Sequence, residues 1–295
     1  MRKDKELAAF MRSRRARLRP ADVGLPELGE RRRVPGLRRE ELAALAGVSI
    51  AHYTRLEQGN TQNVSASVLD AIARALCLTE DERLYLHSRV HPGRSPVPAA
   101  PRETRPVRQG LRQLLASLDT VPALVLDVDT TVLACNRLGA AVFADFAAIP
   151  RDRRTMHHLL FLDADFRRMH GDRLPGVARD AVAHLRTLVA RYPGNAALTS
   201  HIRQMREASA EFDTLWNAQD VAGVTSRVYR LEHPEAGLIE LHGELLPLPD
   251  DQPLRLDVFT APIGSPSQAA LRHLAATTGR AAVGVGSPET GTPPR

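Results

Sequence analysis

The sequence predicts an all-α N-terminal domain of five helices, followed by an α+β domain built on one antiparallel sheet of about five strands. Three observations carry this. Residues 39–58, REELAALAGVSIAHYTRLEQ, have the apolar spacing and central glycine of a helix-turn-helix. Residues 91–106, HPGRSPVPAAPRETRP, are dense in proline and read as a stiff, semi-extended linker. Beyond Val221 the apolar residues pass from helical spacing to period-two alternation.

The first helix spans residues 3–18, with Leu7, Phe10, Met11 and Leu18 apolar and Arg12, Arg14, Arg15, Arg17 and Arg19 around them. Residues 20–36 form a Pro- and Gly-rich loop containing Arg31, Arg32 and Arg33. Such a loop either follows a phosphate backbone or reaches a minor groove, or is simply solvated. In the central motif Leu42, Leu45 and Ala46 make an apolar face, and Ala43 is small where a second helix crosses. Gly47 ends the helix and Val48 fills the corner. Ser49 caps the next helix, Tyr53 and Leu56 return to the core, and Gly59 ends it. The outward face carries Ile50, Ala51, His52, Thr54 and Arg55, where a recognition helix presents side chains to base edges. Spacing alone also fits any compact helix pair; the small residue, glycine, cap and polar outer face together favour DNA. Ser65 or Ser67 caps a helix bearing Val68, Leu69, Ile72, Ala73 and Leu76, and Thr79 with Glu82 forms a capping box ahead of Leu84 and Leu86.

The second domain opens with a helix over residues 107–119, with Val107, Leu111, Leu114, Leu115 and Leu118 apolar. Residues 123–128 and 131–135 suggest a hairpin around Asp129-Thr130. Asn136 caps a helix with Leu138, Val142, Phe143 and Phe146 on its face, and helical segments follow at 155–161, 176–192 and 196–216. Strands are predicted at 225–231, 238–246 and 254–260. Ile239, Leu241 and Leu245 are buried opposite Glu240, His242 and Glu244, and Leu254, Leu256 and Val258 opposite Arg255 and Asp257. Helices cover one side of the sheet, an arrangement that leaves room for a cavity between layers. A short helix spans 266–275. The domains are therefore 1–90, the linker 91–106, 107–276, and a tail over 277–295 that reads as disordered.

Hydrophobic residues make up 43% of the 295, enough for two cores, and no apolar run or N-terminal signal points to a membrane, so a cytoplasmic protein is expected. Cys77 and Cys135 read as buried thiols. Residues 1–90 hold 17 Lys and Arg against 12 Asp and Glu, and the rest holds 23 against 22. The basic excess therefore sits with the helix-turn-helix, as phosphate binding requires. Lysine occurs only at Lys3 and Lys5, so Arg is a compositional habit of the chain and a lone Arg says little.

Residues VPGLRREELAALAGVSIAHYTRLEQG and NVSASVLDAIARAL, followed by VLACNRL, ADFAAIP, LLFLD, AVAHLR, EFDTLW and VFTAPIGSPSQAAL in that order, give a second line of argument. With these segments the chain resembles Xre-type helix-turn-helix regulators with an MmyB-like ligand-binding domain, common in actinobacteria. The resemblance implies a lambda-repressor-like first domain, a PAS-like second domain that binds a small hydrophobic molecule such as a fatty acid, and a homodimer on double-stranded DNA. Arg39 stands where many such domains have glutamine, so Arg38 and Arg39 are expected on phosphate, with guanine the alternative for the bidentate Arg39. Ser49, Ile50, Ala51, His52, Thr54 and Arg55 are expected to face DNA, and Glu57 to pair structurally with an Arg of the first motif helix.

No nucleophile elbow, phosphate loop, dinucleotide fingerprint or zincin motif occurs, so no enzyme, metal or cofactor is expected beyond a bound apolar ligand. His157, His158, His170, His184 and His201 are read as surface or helix-end histidines, since adjacent helical histidines diverge and the spacing fits no ligand motif. Phe143, Phe146, Phe161, Trp216 and Tyr229 are the bulky candidates for a ligand wall, though such residues are more often plain core than ligand contact. His184, Arg186 and Arg227 are the polar candidates for a carboxylate head group. The alternative is a DNA-binding regulator whose second domain is a dimerisation or protein-binding module without a ligand.

Overall fold

A computed structural model describes residues 3–26, 36–91, 107–223 and 226–278. The Arg31–Arg33 segment, the linker from 92 to 106, the first residue of the predicted strand at 225, and the tail beyond 278 lie outside them. The chain divides into two compact units: Met1–Ala99 with Val182–Ala196 and Asp213–Gly223, and Ala100–Ala181 with Ala197–Phe212 and Val224–Arg295. The first unit thus includes two segments from far along the sequence.

In the first unit, α1 (Lys5–Arg17) starts on Asp4, whose carboxylate accepts the Leu7 N–H at 3.0 Å. Leu7, Phe10 and Met11 are fully buried. α2 (Arg39–Leu45) and α3 (Ile50–Glu57) follow, with Ala43 fully buried where they pack and Gly47 at φ +65° between them. Leu45 is 39% exposed rather than core, because a seven-residue helix has room for only one buried row, which Leu42 and Ala43 take. Gly59 closes α3 at φ +82°; a Cβ there would lie 2.2 Å from the Asp4 carbonyl oxygen, and the Gly59 carbonyl accepts the Asp4 N–H at 2.9 Å. Only glycine permits this approach.

α4 (Ala66–Ala75) is capped by Ser65, with the Ser67 hydroxyl 2.9 Å from the Ser65 hydroxyl. Cys77 follows at φ +51° and is exposed, not buried as its apolar neighbours suggested, because the helix ends and turns there. Thr79 and Glu82 form the capping box of α5 (Glu80–Val90). Tyr85 and Leu86 face inward while Leu84 is exposed, a rotation of the face from that predicted. Ala190 and Val221 pack into the same core as Leu7 and Phe10.

The second unit contains α6 (Gln109–Ser117) and a five-stranded antiparallel sheet of β1 (Ala123–Leu126), β2 (Val132–Cys135), β3 (Ser226–His233), β4 (Gly237–Pro247) and β5 (Arg255–Thr260), ordered β2-β1-β5-β4-β3. Between β2 and β3 run α7 (Arg137–Val142), α8 (Met156–Leu162), α9 (Ala164–Arg168), α10 (Leu174–Arg191), α11 (Ala196–Ala208) and α12 (Ala210–Asn217); α13 (Pro266–Thr277) closes the chain. α10 and α12 each have residues in both units. The segment predicted as one helix over 196–216 is two, because Ser209 turns its hydroxyl to the Phe212 N–H at 3.2 Å and restarts the helix. Asn136 caps α7 as predicted and also ties Leu118, Val121 and Ala123 through its side chain.

Helices lie on both faces at the centre of the sheet rather than on one. α6 packs Leu111 and Leu115 against Val125 and Leu256, while α7 brings Phe143 to Phe259 on the other face. This is why the alternation in β5 misleads: Asp257, expected in water, is buried on a central strand between β1 and β4. Leu114 turns outward at 44% exposure. No described helix is long and apolar enough to cross a membrane.

Candidate functional site

The helix-turn-helix face is held from behind by one carboxylate. Glu57 is 2% exposed and receives the Arg15 Nε at 2.7 Å, the Tyr53 hydroxyl at 3.1 Å and the Arg39 guanidinium. Burial pushes its carboxyl up, but hydrogen bonds and charge from Arg15 and Arg39 outweigh this and hold it below the usual carboxylate range. The Tyr53 hydroxyl is pushed well above its usual range by burial and by the adjacent Glu57 charge. Arg15 also donates to the Leu37 carbonyl at 2.6 Å. α1, the approach to α2, and α3 are thereby clamped together.

On the outer side, Ser49 accepts the His52 N–H at 3.2 Å as N-cap, so its hydroxyl is engaged at the start of α3. Ile50 is 53% exposed, Ala51 and Arg55 are exposed, and His52 and Thr54 are half-buried. The His52 Nε2 is enclosed without a hydrogen-bond partner among the described residues. Arg38 is exposed, and its N–H donates to Glu41 at 2.7 Å. Arg39, expected on phosphate, spends its Nε on Glu57 and leaves about half its side chain in water. All eight predicted residues thus cluster at α2 and α3, with Arg39 and Ser49 also in structural bonds. Glu57's pairing role is as expected; Arg15, 42 positions away, was missed because nothing local marks it.

The second unit carries two neighbouring aromatic groups. On the sheet, Phe259 lies 4.6 Å from Phe143 and 5.3 Å from Tyr229 between ring centroids. Gly243 makes room for them: a Cβ there would meet the Tyr229 ring at 2.6 Å and the Phe259 ring at 3.1 Å. Arg227 sits 6.0 Å from the Tyr229 ring and pairs with Asp180 at 2.9 Å; its side chain is 17% exposed and that of Asp180 54%. Arg255 pairs with buried Asp257 at 2.9 Å, whose carboxyl burial pushes up against the pull of Arg255. Burial and the charge of Asp257 raise the Tyr229 hydroxyl.

The second group joins Phe161 to Phe212 at 5.2 Å and His157 to Phe212 at 6.1 Å. His157 Nδ1 lies 2.8 Å from the Thr130 hydroxyl and 3.2 Å from His201 Nε2. Burial, then the neighbouring His201, holds His157 down to about 3. Burial and Arg227 hold His170 down to about 4. His157, His170 and His201 are 3%, 5% and 4% exposed, so none of the three is at the surface; His157 and His170 do lie at helix ends, as the other half of the expectation had it, while His201 lies within α11. Bonds and ring contacts with residues tens of positions away engage His157 and His201, and His170 packs on the Phe166 ring at 5.3 Å. No group of three potential metal ligands occurs among the described residues.

Of the seven predicted ligand residues, Phe143, Phe146, Phe161, Arg227 and Tyr229 lie in the second unit; Phe146 is fully buried. Trp216 and His184 lie in the first, where Trp216 packs under Arg186 at 4.0 Å. Phe259 and Phe212, which join these aromatic groups, were not among the seven. A lone glycine within an alternating strand, Gly243, was the available signal for close packing there.

Residues 107–274, more than half of the chain, match the model of the MmyB-like transcription regulator ligand binding domain. The chain belongs to the MmyB-like transcription regulator family. Residues 6–86 match a helix-turn-helix domain. No curated relative matches the chain. This MmyB-like regulator is a DNA-binding transcription regulator with a ligand-binding domain, its fold being a helical helix-turn-helix region followed by helices and a five-stranded antiparallel sheet. α2 and α3 both lie within the matched helix-turn-helix domain. The matched ligand-binding region extends over the Arg186 and Trp216 segments that the first unit contains.

Proposed function

We propose that this regulator reads a two-fold DNA site as a homodimer and that a small apolar acid, of which a fatty acid is the type, sets its DNA-binding state. The observation that carries the ligand half is the juxtaposition of Phe143, Phe259 and Tyr229 with Arg227, an arginine that is mostly enclosed and whose ion-pair partner among the described residues is the half-exposed Asp180. Rings supply apolar contact, and a guanidinium recognises a carboxylate by a two-pronged hydrogen bond. An acid head group that takes the place of Asp180 keeps the guanidinium paired and returns a half-exposed carboxylate to water. On the DNA side, Arg38 and Arg55 serve phosphate or guanine, Ala51 a thymine methyl, and Ile50, His52 and Thr54 the base edges. In a dimer two such helices sit about 34 Å apart, and a ligand with unequal affinity for two dimer states shifts DNA affinity.

The test titrates fluorescein-labelled DNA from upstream of its own gene with the protein, with and without C12–C18 fatty acids and their methyl esters. Affinity that responds to an acid but not to its ester, and loses the response in Arg227→Met, supports the reading. Specific DNA binding indifferent to every lipid shifts the balance to a protein-binding second domain. That second reading has its own support in the exposed Val228 and Leu238 of β3 and β4, which offer apolar surface to a protein.

A further inference from the structure

The first unit is built around a buried arginine that its own helix-turn-helix sequence does not contain. Arg186, from α10, is 1% exposed. Its guanidinium donates to Glu6 of α1 at 3.0 Å, to the Tyr85 hydroxyl of α5 at 3.1 Å and to the Trp216 carbonyl of α12 at 2.6 Å. It also stacks over the Trp216 ring at 4.0 Å. A second arginine runs the other way: Arg14 of α1 is 4% exposed, donates to the Gln219 carbonyl at 2.6 Å and pairs with Glu82 at 2.8 Å. Nearby, the Gly223 N–H donates to Asp81 at 2.7 Å.

A buried ion pair of this kind adds little stability compared with apolar packing, so its use lies elsewhere, in fixing one geometry. Each of Arg186's three partners comes from a different helix. A shift of α10 or α12 therefore breaks charged bonds on α1 and α5 rather than sliding over an oily surface. α1 is the helix whose Arg15 reaches Glu57 behind the DNA-reading face.

We propose that Arg186 is the coupling residue of this regulator: through Glu6 and Tyr85 it makes the conformation of the DNA-reading helices depend on α10 and α12 of the ligand-binding region. The inference builds on the ligand-responsive reading, and its test uses DNA alone, so failure to find a ligand leaves it decidable. Linkage is reciprocal: what α10 and α12 do to DNA binding, DNA binding does to them.

The probe is a duplex enriched by the full-length protein from a random-sequence library, and the readout is amide hydrogen exchange. Binding is expected to slow exchange in α10 and α12 by about 5-fold or more in the wild type, the low end of ordinary allosteric coupling. Arg186→Met is expected to bind the duplex while slowing is confined to residues 5–90. Unchanged exchange in α10 and α12 of the wild type, or equal slowing there in Arg186→Met, overturns the proposal. Should Arg186→Met not fold, Glu6→Gln, which keeps the packing and removes the charge, is expected to show the same confinement, and undiminished transmission in it overturns the proposal equally. Enrichment of no duplex overturns the DNA assignment first and the coupling with it.

Discussion

Replacing Glu57 tests the clamp behind the outer face of the helix-turn-helix. In Glu57→Ala the fully buried Tyr53 hydroxyl loses its acceptor, and the Arg15 guanidinium, 12% exposed, loses its countercharge while keeping the Leu37 carbonyl. An orphaned buried hydroxyl costs about 1–3 kcal/mol. Breaking a buried ion pair costs about 3–5 kcal/mol, here at the low end because Arg15 retains one bond. Arg39, with 48% of its side chain in water, contributes only about 0–1 kcal/mol. The expected loss is about 3–4 kcal/mol, overlapping effects included, against a total stability of about 5–15 kcal/mol. Glu57→Gln keeps an acceptor for Tyr53 and is expected to lose roughly half as much. The chain's one tryptophan, Trp216, lies in the first unit, so its fluorescence during urea unfolding reports that unit. The pH dependence has a definite sign. The Glu57 carboxyl is held below its ordinary 4.5, so its contribution is complete above that value and is lost as the pH falls through the lower folded-state value. A midpoint shift worth less than about 1 kcal/mol in Glu57→Ala refutes the clamp.

Three further predictions follow from the same geometry. Arg55→Ala is expected to weaken DNA binding and, if Arg55 meets phosphate, to lower the salt slope by about 1; an unchanged slope with relaxed sequence preference assigns it to guanine instead, and no effect on either removes it from the interface. His157 and His170 are held at about 3 and about 4, below the 6.5 of an unfolded histidine, so stability is full above pH 6.5 and falls as the pH drops below it. The loss is about 1.4 kcal/mol per pH unit for each, measured by thermal unfolding between pH 7 and 5, and a flat profile refutes their burial as neutral rings. Exposed Cys77 is expected to react with a thiol reagent at least about ten times faster than Cys135, which is buried and pushed up to about 11; two equal rates refute that placement.

Capping residues made much of the fold legible. Ser49, Thr79 and Asn136 act on N–H groups three positions ahead, so helix starts could be read from short windows. The order of elements and the strand edges followed from periodicity for the same reason. Helix faces were less secure: Leu45, Leu84 and Leu114 all fit an apolar stripe, but in helices of 7 to 11 residues the neighbours decide which row is covered. The helix-turn-helix was legible because its turn chemistry is local. The second site was not, because its chemistry joins distant residues: Arg227 to Asp180, His157 to His201, and Phe143 to Phe259. Arg186 was named as a head-group candidate and instead closes on Glu6, 180 positions away, a distance over which no spacing rule operates.

The hydrogen bond between Asp4 and Gly59 has a practical consequence at the bench. It pins Asp4, the third residue before Leu7, to the glycine that closes the C-terminal end of α3. A run of histidines fused at the amino end is partly protonated near neutral pH and adds non-specific affinity for DNA of its own. Binding constants and footprints for this regulator are therefore best taken with the tag at the other end, or removed.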